Sequence, residues 1–371
     1  MMHVDVADRL SSPPLSPFTP CGAPGASPLF TELSRPQKQA ALTLRPLLSC
    51  AVLAYTLLGY LVGLACVLSG SPLVAVAGIA LLIHTTVLSG LLNHELIHRS
   101  VFRNPRVNDL LGSVVSLLNG ACHVPFALLR RQHIAHHINK VGYDSFSITE
   151  WVKGLPRLPR IILITLEWFY FPILSFISRG RALTYPFRNK KYRHLRLRVA
   201  VAILFRMAIL ILFYLINPWS VLSVFISHIG MISAFRLYDC YHHTFQVIPL
   251  GSKIPVLPGN YEQERTFSSL LSREHAWLNL IFLNYGYHNA HHYLFAAPWY
   301  HLPTIDRLMF GESNQRHILF RDWITWYHKN RIRRIFDGLG SPRIDGNQVK
   351  IESFYGIIMN LSFMDYDYND E

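Results

Sequence analysis

Two long runs of apolar positions dominate the first hundred residues. Leu47 to Gly70 and Ser71 to Asn93 contain no Asp, Glu, Lys or Arg. Each exceeds the ~20 residues that carry a helix across a bilayer. They meet at Gly70-Ser71-Pro72, a turn signal, so a helical hairpin is predicted with spans at about 47–69 and 71–93. A second, weaker pair lies at about 199–219, interrupted by Arg206, and 220–238, with a break at Asn217-Pro218. Two more apolar stretches, 107–129 and 161–178, sit in the polar segment between the hairpins. Neither can cross singly without moving His133–His137 to the opposite face, so both are expected to lie on the membrane as interfacial or re-entrant helices.

The pattern predicts an all-α integral membrane protein: four transmembrane helices in two hairpins, with one or two interfacial helices. From about Tyr241 aromatic and charged residues mix, which predicts a compact helical cap over a membrane domain at about 47–340. Residues 341–371 are expected to be a C-terminal tail, acidic and frayed from Asp365 to Glu371. Residues 1–46 have no apolar stretch of signal-peptide type and are rich in Pro and Ser, which predicts a disordered N-terminal tail.

Composition agrees: hydrophobic residues make up 51% and charged ones 15%, against about 25% charged in an ordinary soluble domain. The formal charge of +13 could suggest nucleic acid, but its placement argues otherwise. Between Arg99 and Arg198 there are 17 Lys/Arg and 4 Asp/Glu, so that loop carries the whole excess. A basic loop between hydrophobic hairpins is the positive-inside pattern; it suits anionic membrane lipids or an acidic electron donor. With both hairpins spanning, this loop, both termini and the cap are expected on the cytosolic side. The five cysteines form no C-x-x-C and no disulfide framework.

The chemistry is carried by histidine, of which there are 19. His94-x3-His98 places two imidazoles on one helix face, and His133-x2-His136-His137 and His288-x2-His291-His292 each place three there. His243, four residues after Asp239, forms a fourth position at the end of the last span. These clusters fall on one face of the membrane under the predicted topology and can converge. They exceed one metal's coordination sphere and fit two; thiolate-free imidazole ligation suits iron, zinc, copper or nickel. His242 stays open as a further ligand. His3, His84, His123, His194, His228, His275, His301, His317 and His328 lack this spacing and are assigned no chemistry.

These motifs resemble the three histidine boxes of membrane fatty acid desaturases. The 34 residues between the first two boxes, followed by two spanning helices and the third box, are similar to the family's layout. Asn93-His94-Glu95-Leu96-Ile97-His98-Arg99 resembles a first box, and Gly286-Tyr287-His288-Asn289-Ala290-His291-His292 with His301-Leu302-Pro303 a third box and its tail. The resemblance runs from about residue 47 to 310. It implies a mushroom-like helical fold with a cytosolic cap, two Fe(2+) ions, O2 as co-substrate and two externally supplied electrons. It also implies nine ligands: His94, His98, His133, His136, His137, His243, His288, His291 and His292. Asp239 stands where the family often has an Asn that reaches a metal through water; a carboxylate there is expected to act likewise or to orient His243.

The x3 spacing of the first box departs from the x4 typical of acyl-CoA enzymes, which favours an acyl-lipid or acyl-carrier substrate. No His-Pro-Gly-Gly heme motif occurs, so a separate electron donor of ferredoxin or cytochrome b5 type is expected. A bacterial inner membrane and the endoplasmic reticulum fit equally. Hydroxylase, acetylenase, epoxygenase or carotenoid oxygenase chemistry on the same scaffold is the nearest alternative. A metal transporter or receptor is a further one, although transporters place ligands at the bilayer midplane. Phe102, Phe126, Trp151, Trp277, Phe282 and Tyr285 are candidate tunnel walls, and Arg130 and Arg131 candidate contacts for an acidic head group.

Overall fold

The computed structural model describes residues 30–144, 146–249 and 252–358. A short helix α1 (Arg35–Ala41) leads into α2 (Pro46–Leu68), which turns through Gly70 into α3 (Pro72–Ile97). Proline at the first position of α2 and α3 suits the unpaired amides of a helix start. Next come α4 (Pro105–Asn119), α5 (Phe126–Asn139), α6 (Ile148–Gly154), α7 (Arg157–Trp168) and α8 (Ile173–Arg188). The second hairpin is α9 (Arg196–Ile216) and α10 (Pro218–Asp239), separated at Asn217, whose side chain caps α10 by accepting from Trp219 N–H.

Among the described residues, four helical segments are long and apolar enough to cross a membrane: Arg35–Leu68, Pro72–Ile97, Lys190–Ile216 and Pro218–Asp239. Their outward faces carry exposed Leu, Val, Ile and Phe, as lipid requires. The exception is the last part of α3, where Thr85 to Ile97 is almost continuously buried and the helix packs against α4, α5 and α10.

The cap contains α11 (Tyr261–Arg265), α12 (His288–Tyr293), α13 (Leu302–Phe310), α14 (Phe320–Lys329) and α15 (Arg333–Phe336). Six three-residue strands tie its loops together: β1 (Gly142–Asp144) with β2 (Val247–Pro249), β3 (Ser268–Leu270) with β4 (His317–Leu319), and β5 (Arg343–Asp345) with β6 (Gln348–Lys350). The first pair is parallel and joins the segment after α5 to the segment after α10.

Four sequence expectations change. The stretch 107–129 is not one helix. α4 ends at Gly120, whose φ of 95° is left-handed; a 3₁₀ turn, Ala121–His123, and Pro125 follow, and Phe126 starts α5. The stretch 161–178 is likewise two helices, α7 and α8, which meet at 111°. Left-handed Tyr170 (φ 61°) and Pro172, which lacks an N–H, interrupt the helix there.

The expected disordered tail does not extend to residue 46. Leu33 and Ala41 are buried against Leu302, Ile305 and Met309 of the cap, and Thr31 N–H donates to Met309 O at 2.8 Å. A few apolar side chains in a polar stretch suffice to dock it. Residues 1–29 lie outside the described residues. At the other end, β5 and β6 form a hairpin, Phe354 is fully buried, and Ile357 N–H donates to Cys240 O at 2.9 Å, so 341–358 is packed. Residues 359–371 lie outside the described residues.

Candidate metal centre

All nine imidazoles singled out by spacing meet in one place, and they divide into two groups. His94 and His98 come from the last turn and cap of α3, His133 and His137 from α5, and His291 from α12. Their ligand atoms lie within 4.8 Å of one another. Nε2 of His133 is 2.8 Å from His98 Nε2 and 3.1 Å from His137 Nε2, and His137 Nε2 is 3.2 Å from His291 Nε2. The second group is His136, His243 and His292, also within 4.8 Å. His288 joins it through an Nε2–Nε2 distance of 2.8 Å to His243.

The i, i+3 and i, i+4 geometry explains the division. On α5, His133 and His137 point to one group while His136 points to the other. α12 sends His291 one way and His288 and His292 the other. That helix is six residues long, and two successive left-handed residues, Leu283 (φ 46°) and Asn284 (φ 54°), turn the chain before it. Gly286 then passes so close to β3 that a Cβ would overlap the Ser269 carbonyl oxygen and the Tyr238 hydroxyl.

Convergent Nε2 atoms suit metal cations better than a hydrogen-bonded cluster. A neutral imidazole has one N–H, so an Nε2 facing two other Nε2 atoms cannot satisfy both. Both ring nitrogens of His94 and Nε2 of His292 are buried with no hydrogen-bond partner among the described residues. Burial, reinforced by neighbouring histidines, holds His98, His133, His137, His243, His288, His291 and His292 well below the usual imidazole range. Burial also pulls His136 down to about 4, against a hydrogen bond to the Val141 carbonyl. These rings are neutral at physiological pH, the state that ligates metal.

Surrounding groups fix the rings. Glu262 Oε1 sits 2.9 Å from His292 Nδ1, and Glu262 Oε2 is 3.1 Å from Lys140 Nζ. Glu262 also falls with His137 and His292 in a further group able to hold a cation. Thr266 Oγ1 lies 3.3 Å from His243 Nδ1, and Val141 O lies 3.3 Å from His136 Nδ1. Glu95, between the two histidines of the first box, accepts from Ser100 Oγ (2.7 Å) and Trp299 N–H (3.1 Å), tying α3 to the cap. Spacing gave no sign of Glu262 or Thr266, because both reach the site only through tertiary folding. Glu95 lies inside the first box, but its contacts with Ser100 and Trp299 depend on the fold.

Of the two roles expected for Asp239, the geometry does not support orienting His243. The Asp239 carboxylate faces His242 Nδ1 at 3.5 Å and bonds the Tyr285 hydroxyl, whereas Thr266 occupies the Nδ1 side of His243. Asp239 is the last residue of α10, and His243 lies beyond the helix end, where Thr266 meets its Nδ1. His242 stays outside both groups and stacks on His288, with centroids 4.1 Å apart. His317, set aside on spacing, is a buried partner of Asp306, its Nε2 2.8 and 2.9 Å from the two oxygens. Tyr285 packs on His94, His242 and His288. Trp277 is 67% exposed, so it lines no tunnel. Arg130 is paired with Asp109.

This clustering of histidine boxes at the end of apolar helices has a counterpart in sequence comparison. The sequence model of the fatty acid desaturase family matches residues 69–323. The chain belongs to the fatty acid desaturase family. That match takes in all nine clustered histidines, along with Glu262 and Asp239. No curated protein matches the chain. Desaturases of this family are metal-dependent and membrane-bound, in keeping with the histidine groups and the four apolar helices.

Proposed function

We propose that this desaturase introduces a double bond into a lipid- or carrier-linked fatty acyl chain, using O2 and two Fe(2+) ions held by His94, His98, His133, His137 and His291 on one side and His136, His243, His288 and His292 on the other. The observation that carries this reading is the division of nine buried or half-buried imidazoles into adjacent groups of five and four. When bound, iron supplies the O2-activating oxidising power needed to take hydrogen from an unactivated methylene.

The chain's own residues bind, orient and shield. Glu262 and Thr266 hold Nδ1 of His292 and His243, so each ring presents Nε2 to the site. Tyr285, Phe295 and Phe245 pack against the rings and keep water out. Glu95 fixes the first box to the third-box tail, so α3 cannot slide relative to the cap. Positioning of this kind determines which C–H meets the oxidant.

Electrons are assigned to a separate donor of ferredoxin or cytochrome b5 type. The basic loop, the cap and both termini are assigned to the cytosolic side, on the positive-inside bias of residues 99–198. The membrane domain is placed at about 47–340.

The test is expression with a matching donor, followed by mass spectrometry of extracted acyl chains. Loss of two hydrogens supports the reading. Gain of one oxygen without a new double bond would place the protein among hydroxylases instead.

A further inference from the structure

Away from the histidines, the tip of α4 gathers cationic side chains that no acid among the described residues pairs with. Arg206, from inside α9, donates to Leu117 O at 3.2 Å and approaches Cys122 Sγ at 3.8 Å. Arg179, from α8, reaches the same spot: guanidinium nitrogens of Arg206 and Arg179 lie 3.5 and 3.6 Å from where a Cβ on Gly120 would sit. Arg198 donates to Cys122 O at 3.0 Å. His123, His228 and Tyr60 lie within electrostatic range, and among the described residues no carboxylate forms an ion pair with Arg179, Arg198 or Arg206. Acids on neighbouring elements are engaged elsewhere, Asp109 with Arg130 and Glu167 with Arg236.

Two guanidiniums side by side repel, and the carbonyls at the end of α4 offset only part of that cost. Lys190–Ile216 is the least buried of the four candidate spans, the Arg206–Leu117 bond lies at an exposed position on it, and Arg179 is partly exposed. The cluster is therefore reached from the lipid. Its depth follows from geometry. Arg198 and Arg206 are about 12 Å apart along α9 at 1.5 Å per residue, yet both side chains converge on Cys122. Arg206 thus reaches back toward the start of α9, to the level where lipid head groups lie.

We propose that Arg179 and Arg206 clasp the phosphate of a membrane phospholipid at the tip of α4. A phosphodiester offers one non-bridging oxygen to each guanidinium fork and supplies the missing negative charge. The bound lipid ties α8 and α9 to α4, one turn ahead of the helix that carries the second histidine box.

Full-length protein is purified in detergent, exchanged extensively, and its bound phospholipid measured by native mass spectrometry and phosphorus assay. The parent retains phospholipid. Arg179→Gln/Arg206→Gln binds it on the order of 30-fold more weakly, and Arg321→Gln, a change at an exposed position of α14, retains it. Inorganic phosphate serves as the free-anion probe. If it raises the melting temperature of the parent but not of the double variant while no phospholipid is retained, the ligand is a free anion and the lipid assignment is overturned. Retained fatty acid without phosphorus overturns the phosphate. Equal retention by parent and double variant overturns the site. Should the double variant fail to fold, a parent preparation free of phospholipid is sufficient to refute the proposal, and Arg179→Lys/Arg206→Lys, which keeps charge but not the forks, is expected to bind at an intermediate level.

Discussion

Glu262 Oε1 lies 2.9 Å from Nδ1 of His292, with Lys140 on the other carboxylate oxygen. This is the carboxylate–histidine arrangement that fixes a ligating ring's tautomer and orientation. Glu262→Gln is expected to lower metal affinity by about 10–100-fold with the fold intact. Metal titration of the chelator-stripped variant checks this; unchanged affinity would leave Glu262 with a purely structural part.

The division of the histidines predicts how metal is lost. Replacing His94 or His98 by Ala should remove the metal of one group, and replacing His243 or His288 that of the other, each about halving bound iron by elemental analysis. His242→Phe, which keeps the stack on His288, should leave iron content unchanged. If His242→Phe loses iron while His243→Ala keeps it, the ligand is the neighbouring ring.

Glu167 and Arg236 form a buried ion pair at 2.8 Å, and Glu167 also accepts from Leu174 N–H at 2.9 Å across the α7–α8 bend. Glu167→Ala leaves an uncompensated buried guanidinium and an open amide, with an expected cost of about 3–5 kcal/mol. Thermal unfolding in detergent measures it. Converting both partners to Met should recover much of the loss.

Acid should destabilise the metal-free protein. His136 is held at about 4 and its neighbours well below the ordinary value by burial. Below about 6.5 the unfolded chain takes up protons that the folded cluster refuses, so stability falls with pH from there toward the folded values. Melting temperatures of stripped protein at pH 7.5, 6 and 5 should decline in that order. A flat profile would mean the rings protonate as readily folded as unfolded.

Much of this was legible in the sequence because its physical causes are local. A bilayer demands long uncharged helices, so the four spans appear as runs of apolar residues. Helical periodicity places residues three and four apart on one face, so the histidine boxes could be read as ligand sets from spacing alone. Interruptions were harder to read. The break at Gly120 and the 111° bend at 169–172 each depend on left-handed residues inside apolar stretches that read as continuous helix. Docking of 30–46 rests on Leu33 and Ala41 finding a cap surface that does not exist until the chain has folded. Only tertiary structure could divide the nine histidines into five and four, place Glu262 behind His292, turn Asp239 toward His242 and Tyr285, and gather Arg179 and Arg206 at one helix tip. Sequence fixes which residue types share a helix face; which faces meet depends on packing between segments far apart in the chain, and no spacing rule reaches that far.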